Sequence, residues 1–475
     1  MLAVALTPAA AAEAPPSRWM FDRWLQVSPQ AAPHPSLRYR LLPLYSELKE
    51  GNAVPIYLRL IHEQNDAARK YWTETPQRWN ALPVDKIPLD EAREFLRRYR
   101  YFLRQFDAGA RRRTAEWNYT LDLGDPIGML LPDAQVMRGY APLLVLQVRV
   151  ALAEGDFTAA AHHIETGFAF SRHVGDGPFL ISNLVGLALA RQFSDTVADF
   201  VERPDAPNLY WSLAALPRPL IDMRHALDLE YRMLEMQFPQ LADLDRERTS
   251  QQWDAVLRHV RADVQRIAVP LSESPSKKGP PPVVFPRDCA PTDPASKCPD
   301  LPAAREYVAR ARNLTAEKVD AMAPAQLVLL YMVGCYHEWR DELFRVTYLS
   351  YPQARALGEQ AMNRLRDPAS VSEGKALAQV FLPAIPKVIA AQSRAERNLA
   401  ALRVVEALRL HAAAHKGRLP DRLDEITEIS VPDDPATGKP FAYSRDKDTA
   451  TLTSEIPGEP AFVSGIRYRV TIRQR

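Results

Sequence analysis

The sequence predicts a mainly α-helical protein, an irregular helical-hairpin solenoid or bundle followed by a small C-terminal α+β module of one long helix and an antiparallel meander. Three observations carry this. The 475 residues contain 41 Pro against 18 Gly, and a Gly-poor chain lacks the positive-φ positions that hairpin sheets and phosphate loops need. Apolar residues of the first half recur at helical spacing, as do Phe95, Tyr99, Phe102 and Phe106. Short alternating runs that read as strands cluster after residue 430, at 440–444, 449–453 and 466–472.

Taken in order, the chain opens on an apolar run and an alanine-rich stretch in which Ala10, Ala12 and Ala14 form an A-x-A-like cleavage pattern. This predicts a signal-like leader over 1–16 and a periplasmic or extracellular protein. A helical body is expected over 17–269. Residues 270–302 hold ten prolines, too many for a helix or a sheet ladder, and read as a loop or linker. A further helical segment spans 303–387 and the α+β module 388–475. No transmembrane segment is expected, because Arg149, Arg191, Pro383 and Pro386 interrupt the apolar stretches.

Charge and cysteine content narrow the function classes. With 60 basic and 58 acidic side chains the formal charge is +2, so no nucleic-acid partner is expected. The three cysteines are few for an exported chain of this size. Cys289 and Cys298 enclose a short loop, and a disulfide between them would remove about 2 to 3 kcal/mol of chain entropy from the unfolded state. Cys335, inside LVLLYMVGCYHEW, reads as a buried small hydrophobe.

Within the body, Gly155 is placed to stop one helix and Asp156 to cap the next, followed by Phe157 and the small residues Ala160 and Gly167. This order resembles a tetratricopeptide-type helical hairpin, and the resemblance implies two closely packed antiparallel helices. Near the C-terminus a long Ala-rich helix ends at Gly417, and a Val-Pro-Asp-Asp-Pro-Ala-Thr-Gly-Lys-Pro-Phe-Ala-Tyr string follows. Pro435 and Gly438 fix a turn, Pro440 leads into a strand, and Phe441 and Tyr443 face one side. That succession is similar to the head of type II secretion pseudopilins, and the whole chain resembles helical envelope proteins of planctomycete-type bacteria. The acidic calcium loop of the major pseudopilin has no counterpart, since Asp446 and Asp448 alone do not fill a shell of six to eight oxygens.

No phosphate loop, nucleophile elbow, zinc-protease signature or Cys-x-x-Cys pair is present. His62-Glu63-x-x-Asp66 and His337-Glu338-x-x-Asp341 lack the second histidine of a zinc-protease motif. His162, His163 and His173 read as surface or capping histidines. His411 and His415 stand four apart, the spacing at which two imidazoles share one metal, with no third ligand nominated. The resulting expectation is a non-enzymatic exported scaffold or protein-interaction module that needs no cofactor. Two alternatives stand beside it: a metal-dependent hydrolase using His411 and His415, and a binder of anionic polymer or lipid through Arg111, Arg112 and Arg113.

Overall fold

The structure is a computed structural model that describes residues 19–62, 66–119, 126, 132–272, 295, 298–367 and 372–473. The expected leader over 1–16, and the Cys289 end of the Cys289–Cys298 pair, lie outside the described residues. Among the described residues the protein is 62% helical, with a small four-stranded sheet. The described residues fall into two compact units, one drawn from 19–33, 201–210 and 400–473, the other from the described parts of 34–200 and 211–399.

The larger unit is helical because its apolar positions recur every three to four residues. Helices Pro132–Ala153 and Phe157–Gly175 form a hairpin. Its turn holds Gly155 at φ +74°, a conformation that costs glycine little. The Asp156 carboxylate accepts the Ala159 N–H at 2.9 Å and so caps the second helix. Ala160 is fully buried. Gly167 faces helix Leu180–Glu202, because a Cβ there would stand 2.2 Å from the Phe193 ring. Tyr57, Phe106, Tyr140 and Phe170 pack edge to face or stacked beside the hairpin. Two short strands, β2 (Lys49–Asn52) and β3 (Arg112–Thr114), pair in parallel in this unit.

The division expected at 270–302 differs from the one observed. Trp253, Leu257, Val260 and Val264 of helix Ser250–Ser272 share one core with Leu327, Leu330 and Tyr336 of helix Pro324–Arg345 and with Leu377. Helices on both sides of the Pro-rich stretch thus bury one another's apolar faces. Within that core Arg261 forms a fully buried ion pair with Glu373, 2.5 Å from Nε to Oε1. Cys298 Sγ lies 2.9 Å from the same carboxylate, and Cys335 is half-buried.

The smaller unit contains strands β1 (Phe21–Val27), β4 (Ala442–Asp446), β5 (Thr449–Ser454) and β6 (Ile466–Ile472). The sheet order is β1-β6-β5-β4, antiparallel except for β1 against β6. Alternate residues of β6 are buried, Ile466, Tyr468, Val470 and Ile472, as one covered face requires. The expectation that β structure lies largely after residue 430 needs correction for β1, which registers Phe21 opposite Ile466. The same holds for β2 and β3. The Asp-Pro-x-Thr-Gly string forms a turn: Asp434, fully buried, accepts the Ala436 N–H through its side chain and the Gly438 N–H through its carbonyl, both at 2.8 Å. Gly438 sits at φ +64°. Pro435 and Pro440 are exposed, Phe441 is buried, and Tyr443 is half-buried with its hydroxyl donating to the Pro420 carbonyl at 2.8 Å.

This unit also takes in the end of helix Ala384–Ala414. There Arg409 and Glu406 are both inaccessible to solvent, paired at 3.0 Å. Arg409 further donates to the carbonyls of Ser28, at 3.0 Å, and Ala206, at 2.5 Å. One guanidinium therefore ties together three chain segments far apart in sequence. Among the described residues two stretches are long and apolar enough to cross a membrane, Val136–Ala153 and Glu373–Ala414, and 67% and 56% of their apolar windows are buried in the protein, as in core helices.

Candidate functional site

The larger unit holds a partly open cavity of about 660 Å³, within the usual range for small-molecule sites. Four separated segments wall it. The Pro- and Leu-rich stretch from Leu37 to Leu48 forms one side, Ala110 to Glu116 with β3 a second, and the end of helix Phe157–Gly175 a third. Residues between Ser212 and His225 close it. Leu41, Leu216, Leu220 and Ile221 give it a buried apolar floor, while Leu37 and Leu44 remain exposed.

The charged lining of this cavity consists of Arg40, Arg112, Arg113 and Arg172 together with Glu116, Asp176 and Asp222. Arg172 is accessible by area, yet its surroundings push its guanidinium pKa down through desolvation, with Asp176 opposing. Among the described residues the Arg172 side chain has no hydrogen-bond partner, while its carbonyl accepts the Asp176 N–H at 2.8 Å. Asp176 compensates it weakly, because that carboxylate also accepts from His225 Nδ1 at 3.0 Å. Arg40 pairs with Glu47 and Arg112 donates to the Glu50 carbonyl, but the Nε–H of each is buried without a partner. Buried donors left unmade are costly.

Comparison with family models, curated proteins and solved structures finds no match to this chain.

The cavity places Arg112 and Arg113 in its lining but not Arg111. Arg111 turns inward, to Asp107 at 2.5 Å and to Glu165 at 3.0 Å, where His162 also meets Asp107 at 2.8 Å. Arg113 pairs with Glu50 and lies over the Tyr45 ring, 4.7 Å from its centroid. The three arginines therefore serve three different environments, which consecutive basic residues in a sequence do not reveal. His173 lines the cavity, its Nδ1 2.9 Å from the Tyr57 hydroxyl.

Burial holds His173 and His163 near a pKa of about 4, assisted by Arg172 and His162 respectively. Both are neutral in the folded protein, whereas in the unfolded chain they would bind protons at about 6.5. The unfolded state then carries more protons between those values, so stability is full above pH 6.5 and declines as the pH falls toward 4. Thermal melts of His173→Gln against the parent between pH 7 and 5 are expected to show a shallower decline in the variant.

The remaining histidines separate into one convergent group and several divergent ones. His337 meets Glu235 at 2.9 Å, Glu338 accepts from Tyr307, and Asp341 pairs with Arg340, so that stretch forms no common site. The side chain of His62, with Glu63 and Asp66, lies outside the described residues. In the smaller unit His411 and His415 stack with centroids 4.0 Å apart, and Glu428 reaches both. Among the described residues these three make the one group of ligand-type side chains with donor atoms within 4.8 Å of one another. Glu428, on a loop with no motif around it, carried no signal in the sequence.

Proposed function

We propose that this chain is an exported, non-enzymatic binding protein whose helical body holds an amphipathic organic anion, a carboxylate on an apolar chain, in the cavity described above. The observation that carries the reading is Arg172, a solvent-accessible guanidinium with no side-chain hydrogen bond, lining the cavity together with the buried Leu41, Leu216 and Leu220. A carboxylate would pair with Arg172, while the buried leucines of the lining take the chain. This narrows the anion-binding alternative from a basic surface strip to a lined cavity. Binding rather than catalysis is favoured because the hydroxyls of Ser212 and Thr114 donate to the carbonyls of Tyr39 and Gly51. The His225–Asp176 pair thus has no free hydroxyl among these to activate.

The location rests on the alanine-rich N-terminal run. The close packing of Gly167 on Phe193 of the next helix supports reading the body as an irregular solenoid. The order of long helix and antiparallel strands supports the pseudopilin-like reading of the module. Both architectures offer faces for a protein partner.

Titration with dodecanoate, followed by displacement of a fluorescent fatty acid, tests the ligand. Dodecanoate is expected to bind at least about tenfold more tightly than dodecanol, and Arg172→Ala to remove most of that difference, as a charge-assisted hydrogen bond of about 1.5 to 3 kcal/mol implies. Equal affinity for acid and alcohol would overturn the reading. So would an Arg172→Ala protein that keeps the parent's affinity.

A further inference from the structure

We infer that His411, His415 and Glu428 form a binding site for a divalent transition-metal ion, zinc in the first place, with three protein ligands and a fourth position open to solvent. The inference is independent of the cavity in the larger unit. It begins with helix geometry: residues four apart lie one above the other on a helix face, and here the two imidazole planes are inclined by 20°. The third group comes from the loop that follows the helix. Glu428 brings Oε1 to 3.0 Å from His415 Nε2, and both carboxylate oxygens to 3.4 Å from His411 Nδ1.

The His415 Nε2–Glu428 Oε1 separation of 3.0 Å is that of a hydrogen bond, whereas His411 Nδ1 stands farther from the carboxylate. A hydrogen bond from an imidazole N–H to a carboxylate normally spans about 2.7 to 3.2 Å, so the His411 separation is long for one. A tetrahedral ion with ligands at about 2.0 to 2.1 Å instead requires donor atoms about 3.3 to 3.4 Å apart. The carboxylate is oriented by the Thr427 N–H, which donates to Oε2 at 3.0 Å, an outer contact of the kind that positions metal ligands. His411 is buried whereas His415 is exposed, so an ion held here has protein on one side and water on the other. Two histidines and a carboxylate with an open position are a ligand set that zinc takes where it keeps a bound water.

The test uses the full chain without an affinity tag, stripped with a chelator and titrated with Zn²⁺ and, as a spectroscopic probe, with Co²⁺. One equivalent is expected to bind, with the intense visible absorption of tetrahedral Co²⁺. His415→Ala and Glu428→Gln should each weaken binding by about 100-fold or more, since even an outer partner is worth about 10- to 100-fold. His415 is exposed and Glu428→Gln keeps its shape, so both variants are expected to retain the parent's circular dichroism. If either fails to fold, a single-turn variant, Thr427→Pro, removes the N–H that orients the carboxylate, and it too should weaken binding. Failure of the parent to bind stoichiometric Zn²⁺ overturns the inference. Undiminished affinity in the folded variants overturns it as well.

Discussion

Replacing Arg409 by alanine is expected to cost about 3 to 5 kcal/mol, the range for breaking a buried ion pair from one side. The substitution leaves Glu406 fully buried without its partner. Burial pushes the Glu406 carboxyl above the ordinary range and Arg409 opposes that shift, so the unpaired acid would take up a proton or draw in water, and both are unfavourable. The carbonyls of Ser28 and Ala206 would lose their donor at the same time. Replacing both partners, Glu406 by leucine and Arg409 by methionine, should be much milder, because two apolar side chains of similar volume remove both charges together. Urea unfolding of the two proteins beside the parent checks the contrast. A loss below about 1 kcal/mol in the single variant would mean that the pair does not hold these segments.

Phe441→Ala should cost a similar amount, about 3 to 5 kcal/mol, within the smaller unit, because deleting a buried aromatic loses its transfer energy and leaves a cavity. Phe441 is 3% exposed and stands between the Asp434 turn and β4. Its removal should loosen the turn before it loosens β5 and β6, which pair over their whole length. Limited proteolysis is therefore expected to cut first between Gly417 and Tyr443. Cutting at parent rates there would show that the turn and β4 stand without this ring.

Local features of this fold were legible because local forces set them. The Gly155–Asp156 turn, the helix end near Gly417, at φ +82°, and the three C-terminal strands follow from backbone freedom, capping and alternation over a few residues. What escaped is what depends on distant segments. β1 pairs with β6 across more than four hundred residues, and nothing in FDRWLQV names its partner. Glu406 and Arg409 have the spacing of an exposed helix pair, and only the surrounding carbonyls reveal that they are buried. Arg111 to Arg113 look alike in sequence but differ in the groups that surround them. The half-site His411 and His415 was readable from helical spacing, whereas Glu428 enters through a loop. The cavity could not be read at all, because its walls come from four stretches that acquire meaning only when packed together.

The central claim, that this cavity holds an amphipathic anion, is tested most directly by hydrogen–deuterium exchange of the full chain with and without saturating dodecanoate. Ligand binding is expected to slow amide exchange at 37–48, 110–116, 169–176 and 212–225, which wall the cavity, with no such protection in Arg172→Ala at the same concentration. Unchanged exchange in all four segments at a dodecanoate concentration that occupies the parent, or protection confined to residues outside them, would contradict the account.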